Sequence, residues 1–272
     1  MDKALKRIGY AFLSLLVIVQ LAPFYVTITT ALKAKSDLSS KWMLPTKGIF
    51  WANFENALVN GNMLRAIANT CIITLFSVLL IVAIGAMAGY PLARNKSRIN
   101  GMVMFVVVGV MMIPPLSTLV PLYGMMNRIG GVNTYWGIII IMVTGQLPLS
   151  IFLYRNFISS IPVALEEAAY IDGANFMQIF VKIIVPLVKP VTASVVIITG
   201  TFVWNDYQMS LYMLPKTSMR NVATSVAQFF SQQSSNMGGA AAAALLGLLP
   251  IVILYLCLQK YFIKGMVDSA IK

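Results

Sequence analysis

Six long apolar runs, separated by short polar segments, dominate this chain of 272 residues. Each run holds about 20 residues or more, enough to cross a bilayer core of about 30 Å. In lipid the backbone must satisfy its own hydrogen bonds, so such runs form helices. With 59% hydrophobic and only 10% charged residues, the sequence predicts an all-α, polytopic membrane protein, a single transmembrane domain over residues 1–272. The predicted spans are 8–32, 67–93, 101–125, 134–158, 183–205 and 239–261.

Basic residues orient the predicted spans. The tight loop 94–100 carries Arg94, Lys96 and Arg98, and an excess of Lys and Arg marks cytoplasmic loops. An even number of spans then places both termini in the cytoplasm. The first run is longer than the apolar region of a signal peptide and is interpreted as an uncleaved helix.

Several function classes lose support from composition. The chain has no histidine, the commonest metal ligand and acid–base group, and Cys71 and Cys257 fall inside predicted spans, where packing is the expected role. The eight acidic residues all avoid the middle of a span, whereas ion-coupled carriers usually need an ionisable group or an unwound cation site there. A secondary carrier remains an alternative. A membrane enzyme or scaffold is a further alternative, but the sequence shows no group of reactive residues that supports it.

The polar segment 159–182 has a pattern that a plain connector does not need. Residues 163–171 predict a short amphipathic helix with Glu166 and Glu167 on one side, and Gly173 can adopt the left-handed conformation that ends a helix. A second short helix is predicted over 175–182, leading into the fifth span.

This segment resembles a known signature. Glu167-Ala168-Ala169, then Gly173, Ile183, Val185 and Pro186 are similar to the EAA signature of permease subunits of binding-protein-dependent ABC importers. The family usually has leucine where this chain has Val185. Further segments are similar to the carbohydrate branch, specifically the inner permease of the maltose system: Ser160-Ile161-Pro162, Asp172-Gly173-Ala174, Trp204-Asn205, residues 88–94 and residues 259–265.

The resemblance implies the all-α maltose-type permease fold and a transport subunit that is not itself an enzyme. It also implies the bacterial cytoplasmic (inner) membrane as the location. ATP and Mg²⁺ would bind to two cytoplasmic ATPase subunits, and this chain would bind no cofactor or metal; its sequence has no G-x-x-x-x-G-K-[ST] loop. A second homologous permease would complete the pore, and an extracytoplasmic sugar-binding protein would deliver the substrate. In the family the EAA glutamate contacts the ATPase, which corresponds here to Glu167, with the fit shaped by Ala168, Ala169, Gly173, Ile183 and Pro186.

The substrate implied is a carbohydrate, with an oligosaccharide as the family expectation and a polyol or glycerol phosphate ester as alternatives. Trp204, Asn205 and Asp206 are either an interfacial anchor or part of a substrate path. Prolines 114, 115 and 121 predict a kink or hinge in the third span. The polar outer segment Ser231-Gln232-Gln233-Ser234-Ser235-Asn236 is interpreted as a solvated connector or, by resemblance, as a loop that contacts the binding protein.

Overall fold

A computed structural model describes residues 3–232 and 236–270, with side chains from 7 to 230 and from 236 to 257 and at Gln259. Every regular element of these residues is helical. The α-helices are α1 Lys3–Ala31, α2 Ala52–Val59, α3 Met63–Arg94, α4 Arg98–Met111, α5 Leu119–Arg128, α6 Tyr135–Ser159, α7 Ala164–Ile171, α8 Phe176–Ile179, α9 Val185–Leu187, α10 Lys189–Trp204, α11 Gln208–Met213, α12 Val222–Gln232 and α13 Met237–Ala270. A π-helical turn, Phe180–Ile184, joins α8 to α9, and short 3₁₀ turns occur at Pro115–Thr118 and Thr217–Met219.

Four helices of the described chain are long and apolar enough to cross a membrane: α1, α3, α6 and the Met237–Cys257 part of α13. Two bent helix pairs raise the number to six when each pair is taken as one span. The all-α class is thereby confirmed, and the four to six candidate spans of the described chain agree with a polytopic membrane protein. The third and fifth spans differ in form from the prediction.

The third span is broken where the sequence predicted a kink or hinge. Helix α4 ends at Met111, and the following segment from Pro115 to Arg128 is turned by 93°. Two successive prolines lack the backbone donors that a helix needs, and Pro115 also disfavours the helical conformation of Pro114. The backbone at Pro114 is accordingly extended, with ψ at 127°.

The fifth span begins earlier than predicted and is bent by 71° at Val188. The predicted separate helix over 175–182 is instead continuous with the π-turn and α9. Pro190 explains the bend, because it cannot donate to the carbonyl of Pro186 and its ring crowds that carbonyl. Because single π-turns often occur at functional sites, the π-turn Phe180–Ile184 is of interest for the site described below.

The described residues divide into two compact units, one within Met1–Arg65 and Thr224–Leu249 and the other within Ala66–Ala223 and Pro250–Lys272. In the first unit, buried Asn53 donates to the carbonyls of Ala31 and Lys33, both at 2.8 Å. These bonds satisfy carbonyls at the end of α1, which a helix leaves without internal partners. The window of α1 that qualifies as a span buries none of its residues within the chain.

The loop after α1 is held by one carboxylate. Asp37 accepts from the Thr46 N–H and hydroxyl, both at 2.9 Å, and from the Ser39 N–H at 3.1 Å. Hydrogen bonding by Ser39, with that of Thr46, stabilises the ionised carboxylate and holds the pKa of Asp37 well below its usual range. The Lys33 ammonium donates to Ser39 Oγ at 2.9 Å, so the loop is an ordered polar structure.

Helix α6 forms the centre of the second unit. It packs against α4 and α10 and buries Tyr154 and Ile158 completely. Helix α3 approaches it closely through Gly85 and Gly89: Ser150 Oγ donates to the Ile81 carbonyl at 3.2 Å, and a Cβ at Gly89 would lie 2.7 Å from Tyr154 Cβ. Small residues at such positions let membrane helices approach each other closely.

Two other predicted features look different in the structure. Cys71 and Cys257 are both exposed in this chain, so neither thiol packs within it. The segment 206–238, which includes the predicted connector 231–236, contains α11 and α12, and Phe229 of α12 is buried. The periodic apolar positions of α12 give it a buried face.

The close approach at Gly89 yields a first prediction. Gly89→Ala should lower the free energy of unfolding by about 1–3 kcal/mol, because the new methyl group overlaps Tyr154 and the Arg155 backbone. Gly109→Ala on α4 is the matched control, since a Cβ there meets nothing within 4 Å and alanine favours a helix over glycine. Denaturant titration of the purified protein in detergent measures both, and equal stability of the two variants would contradict the packing described.

Candidate coupling site

The segment between α6 and α10 contains the residues that the sequence singled out. Helix α7 is anchored by one glutamate, Glu166, which is 9% exposed. Arg94 Nε donates to Glu166 Oε1 at 2.7 Å, and the Tyr90 hydroxyl donates to Oε2, also at 2.7 Å. Arg94 Nη2 also donates to the carbonyl of Ile161 at 3.1 Å. The end of α3 and the start of α7 are therefore joined by a charge-assisted network.

Glu167 faces a different direction from Glu166. It is exposed, so the prediction that both glutamates lie on one side of the helix is wrong. Consecutive helical residues are about 100° apart around the axis, and the ion pair with Arg94 turns Glu166 inward. Glu167 consequently points away from the chain with its carboxylate available to another molecule.

The turn after α7 follows the predicted chemistry. Gly173 has a φ of +82°, a conformation that a residue with a Cβ adopts only with strain, and the Ala174 N–H reaches back to the Ala169 carbonyl at 3.0 Å. Asn175 then caps α8: its side chain accepts from the Gln178 N–H, and the Gln178 side chain accepts from the Asn175 N–H, both at 2.9 Å. This capping box fixes where the second helix begins.

The α7–α8 turn presents apolar side chains outward. Ile171 is 85% exposed and Tyr170 is 74% exposed. Ala168 and Gly173 are exposed as well, whereas Ala169 is half-buried. Exposed apolar surface of this kind is typical of a contact with protein or membrane. Large apolar side chains that are also exposed on and beside the two short helices include Val163, Leu165, Phe176 and Met177.

The remaining signature residues lie on the π-turn and α9. Ile183 is half-buried and Pro186 is exposed, while neighbouring Ile184 is completely buried. The ring of Tyr90 packs against the rings of Phe176 and Phe180, with centroids 5.1 and 5.4 Å apart. Tyr90 thus contacts both the α7 glutamate and the helix that leads into α10.

The predicted substrate-path residues Trp204, Asn205 and Asp206 have mainly internal contacts. Trp204 is 5% exposed, which contradicts the reading of its ring as an interfacial anchor. Asn205 donates to the carbonyl of Thr201 at 2.9 Å, and the Asp206 carboxylate accepts from the Ser210 N–H and hydroxyl at 2.8 and 2.7 Å. Asp206 thereby holds the first turn of α11.

Most of the predicted binding-protein segment lies outside the described residues. Gln233, Ser234 and Ser235 are not described, and Ser231 and Gln232 are described only as part of the α12 backbone. Asn236 is 3% exposed and accepts from the Gly239 N–H at 3.1 Å. It caps the start of α13 from a buried position.

Sequence reasoning missed the roles of Tyr90, Arg94 and Glu166. Tyr90 and Arg94 are four residues apart, a spacing that places them on one face of α3. That spacing was the available signal, but their partner is 72 residues away from Arg94. Within residues 3–232 and 236–270, no group of three or more Cys, Asp or Glu side chains is arranged to hold a metal ion.

The fold and this segment define a membrane-spanning transport component. Residues 81–268 match the family described as the binding-protein-dependent transport system inner membrane component, and the chain belongs to this family. The family assignment confirms the resemblance drawn from the EAA signature.

Full-length relatives agree with this assignment. The chain is 43% identical over 251 residues to the melibiose/raffinose/stachyose import permease protein MelC of Bacillus subtilis (strain 168), covering 92% of this chain and 91% of that protein. It is 32% identical to the multiple sugar-binding transport system permease protein MsmG of Streptococcus mutans, covering 97% and 96%. A crystal structure of a bacterial ABC transporter involved in the import of the acidic polysaccharide alginate shares the fold, with a TM-score of 0.79, 23% identity and coverage of 96% of this chain and 99% of that one.

The two neighbouring glutamates should respond differently to truncation. Glu166→Ala leaves Arg94 partly buried without its counter-charge and should lower the free energy of unfolding by about 3 kcal/mol. Glu167→Ala, one residue away, removes an exposed side chain and should change it by less than about 0.5 kcal/mol. Denaturant titration in detergent compares them. A loss of similar size in both variants would show that the Arg94–Glu166 pair does not anchor α7.

Proposed function

We propose that this chain is the transmembrane permease subunit of an ATP-driven importer that moves an oligosaccharide from an extracytoplasmic binding protein into the cytoplasm. The observation that carries the proposal is the exposed α7–α8 turn, with Glu167 and an apolar surface directed away from the chain, in a member of the binding-protein-dependent family. The carbohydrate class rests on the names of its relatives, which include import permeases for melibiose, raffinose and stachyose.

The proposed partner at this turn is a cytoplasmic ATPase subunit, which binds ATP and Mg²⁺. Glu167 supplies a carboxylate for a basic group of that subunit, and Ile171 and Tyr170 supply the apolar contact area. The left-handed turn at Gly173 sets the angle between the two short helices. The permease itself contributes no ATPase site in this scheme.

The ion pair and hydrogen bonds of Glu166 connect the docked α7–α8 turn to the membrane-spanning helices. A displacement of α7 acts on Arg94 at the end of α3 through the ion pair. Tyr90 links the same displacement to Phe176 and Phe180, next to the bend that begins α10. Closure of the ATPase subunits would thus be transmitted to two helices of the translocation path.

A second, homologous permease subunit completes the proposed assembly. Helix α1 supports this, because its spanning window buries nothing against its own chain and its apolar side chains need lipid or another subunit as a neighbour. Trp204, Asn205 and Asp206 remain candidates for the substrate path, and residues 231–236 remain candidates for contact with the binding protein. The internal bonds of Asp206 and Asn236 favour a supporting role for these two side chains.

Transport tests the function and the coupling together. Vesicles containing the complete transporter should take up labelled raffinose only with internal ATP and the cognate binding protein. Glu167→Ala should reduce uptake about tenfold, because a charge-assisted hydrogen bond contributes about 1.5–3 kcal/mol. Glu55→Ala is the matched control, since Glu55 is an exposed glutamate on α2 in a loop predicted to lie outside.

The outcomes separate the parts of the proposal. Uptake of polyols or glycerol phosphate esters in place of sugars would overturn the carbohydrate class and leave the importer assignment intact. Uptake at the wild-type rate by the Glu167→Ala variant would show that Glu167 does not couple the permease to the ATPase. Uptake driven by an ion gradient without ATP would replace the importer by a secondary carrier.

The orientation proposed for the inner membrane has both termini and the 159–182 loop in the cytoplasm. Ser160→Cys and Thr217→Cys, each on a Cys71→Ser/Cys257→Ser background, place single thiols at exposed positions on opposite sides. An impermeant thiol reagent added to whole cells should label position 217 and not position 160, and inside-out vesicles should give the reverse. Labelling of position 160 from outside would invert the topology.

A further inference from the structure

A cationic cavity lies beside the anchored end of α3, and none of the functions described above assigns a ligand to it. Its volume is about 460 Å³, and it is lined by the end of α3, the start of α4 and the last turns of α6. Three cationic side chains line it: Arg94, Lys96 and Arg155. No acidic side chain is among its lining residues.

Only one of these three charges is neutralised. Arg94 is paired with Glu166, whereas Lys96 and Arg155 have no ion pair within the described residues. Arg155 Nη1 donates to Asn156 Oδ1 at 3.0 Å, but its Nε is buried and has no hydrogen-bond partner in the described part of the chain. This Nε is closed off from solvent, so a ligand in the cavity would meet Arg155 through the terminal nitrogens of its guanidinium.

The start of helix α4 adds to the positive potential of the cavity. The N-terminus of this 14-residue helix carries the positive end of its dipole, and Ser97, which caps its first turn, lines the cavity. The neighbouring Asn100 amide and Ser159 hydroxyl already donate to backbone carbonyls. The guanidinium and ammonium groups and the Ser97 hydroxyl are the donors left for a phosphate group, which offers several acceptor oxygens.

The rest of the lining points to the source of that phosphate. Leu92, Met104 and Val163 form an apolar side of the cavity, and the cavity lies where three spanning helices end or begin. In the orientation proposed above the cavity lies on the cytoplasmic side, where basic pockets between membrane helices bind anionic lipid headgroups. A free phosphate ion would use the donors and leave the apolar side without a ligand.

We infer that this cavity binds the phosphate of an anionic phospholipid. Lys96 and Arg155 are the two cations that contact the phosphate, and an acyl chain lies along Met104 and Val163. The site is independent of which solute the permease carries. Because Arg94 belongs both to the cavity and to the Glu166 network, a bound headgroup also lies beside the anchor of α7.

Lipid retention measures the site directly. The full-length protein, with any subunits that co-purify, is exchanged into detergent containing phosphatidylglycerol or phosphatidylcholine, and bound lipid is counted by native mass spectrometry. We expect phosphatidylglycerol to be retained in preference to phosphatidylcholine. Lys96→Gln and Arg155→Gln should each weaken retention about fivefold, since one cation near the membrane surface contributes roughly that factor, and Arg155→Lys should recover most of it.

The matched control is Arg98→Gln, which removes one charge from the same exposed loop at a residue that does not line the cavity. It should change retention less than twofold. Equal retention by wild type, Lys96→Gln and Arg155→Gln would overturn the site, as would equal retention of the two lipids. Displacement of phosphatidylglycerol by millimolar inorganic phosphate at the same cations would overturn the lipid assignment and identify a site for free phosphate.

Discussion

Backbone hydrogen bonding in lipid is the constraint on which this structure depends. An unpaired N–H or C=O in a hydrocarbon environment costs several kcal/mol, so every apolar run of this chain is helical and interruptions occur only at particular residues. The third span breaks at Pro114–Pro115, where the helix loses its donors. The fifth bends at Val188, next to Pro190. These breaks leave polar backbone that must be satisfied by protein or water.

The second feature on which the structure depends is the partly buried ion pair between Arg94 and Glu166. Glu166 would be expensive to bury alone, and Arg94 and Tyr90 compensate for its charge. The consequence reaches beyond local stability. Because Glu166 is held inward, the adjacent Glu167 is directed outward, together with the apolar side chains of the α7–α8 turn. One residue holds the segment in place while its neighbour remains free to contact a partner.

The basic side chains near the end of α3 differ in whether their charge is neutralised within the chain. Arg94 is neutralised internally, whereas Lys96 and Arg155 face a cavity without an acidic group. Charges that cluster at a cytoplasmic loop are normally explained by orientation alone. Here their arrangement around a defined space, with an apolar side, gives two of them a specific binding role as well.

The sequence alone was sufficient for the helical class, the membrane-spanning character, the left-handed turn at Gly173 and the family signature. Each depends on local information: apolar length, a residue's backbone preference, or the spacing of neighbouring residues. The sequence could not decide which of two adjacent glutamates is buried, because that depends on Arg94, 72 residues away. It also could not reveal that α12 buries Phe229 or that Trp204 is enclosed, since composition does not identify the neighbours of a side chain. Tertiary structure decided these points and the bend angles of the two broken spans, because they depend on which distant surfaces pack together.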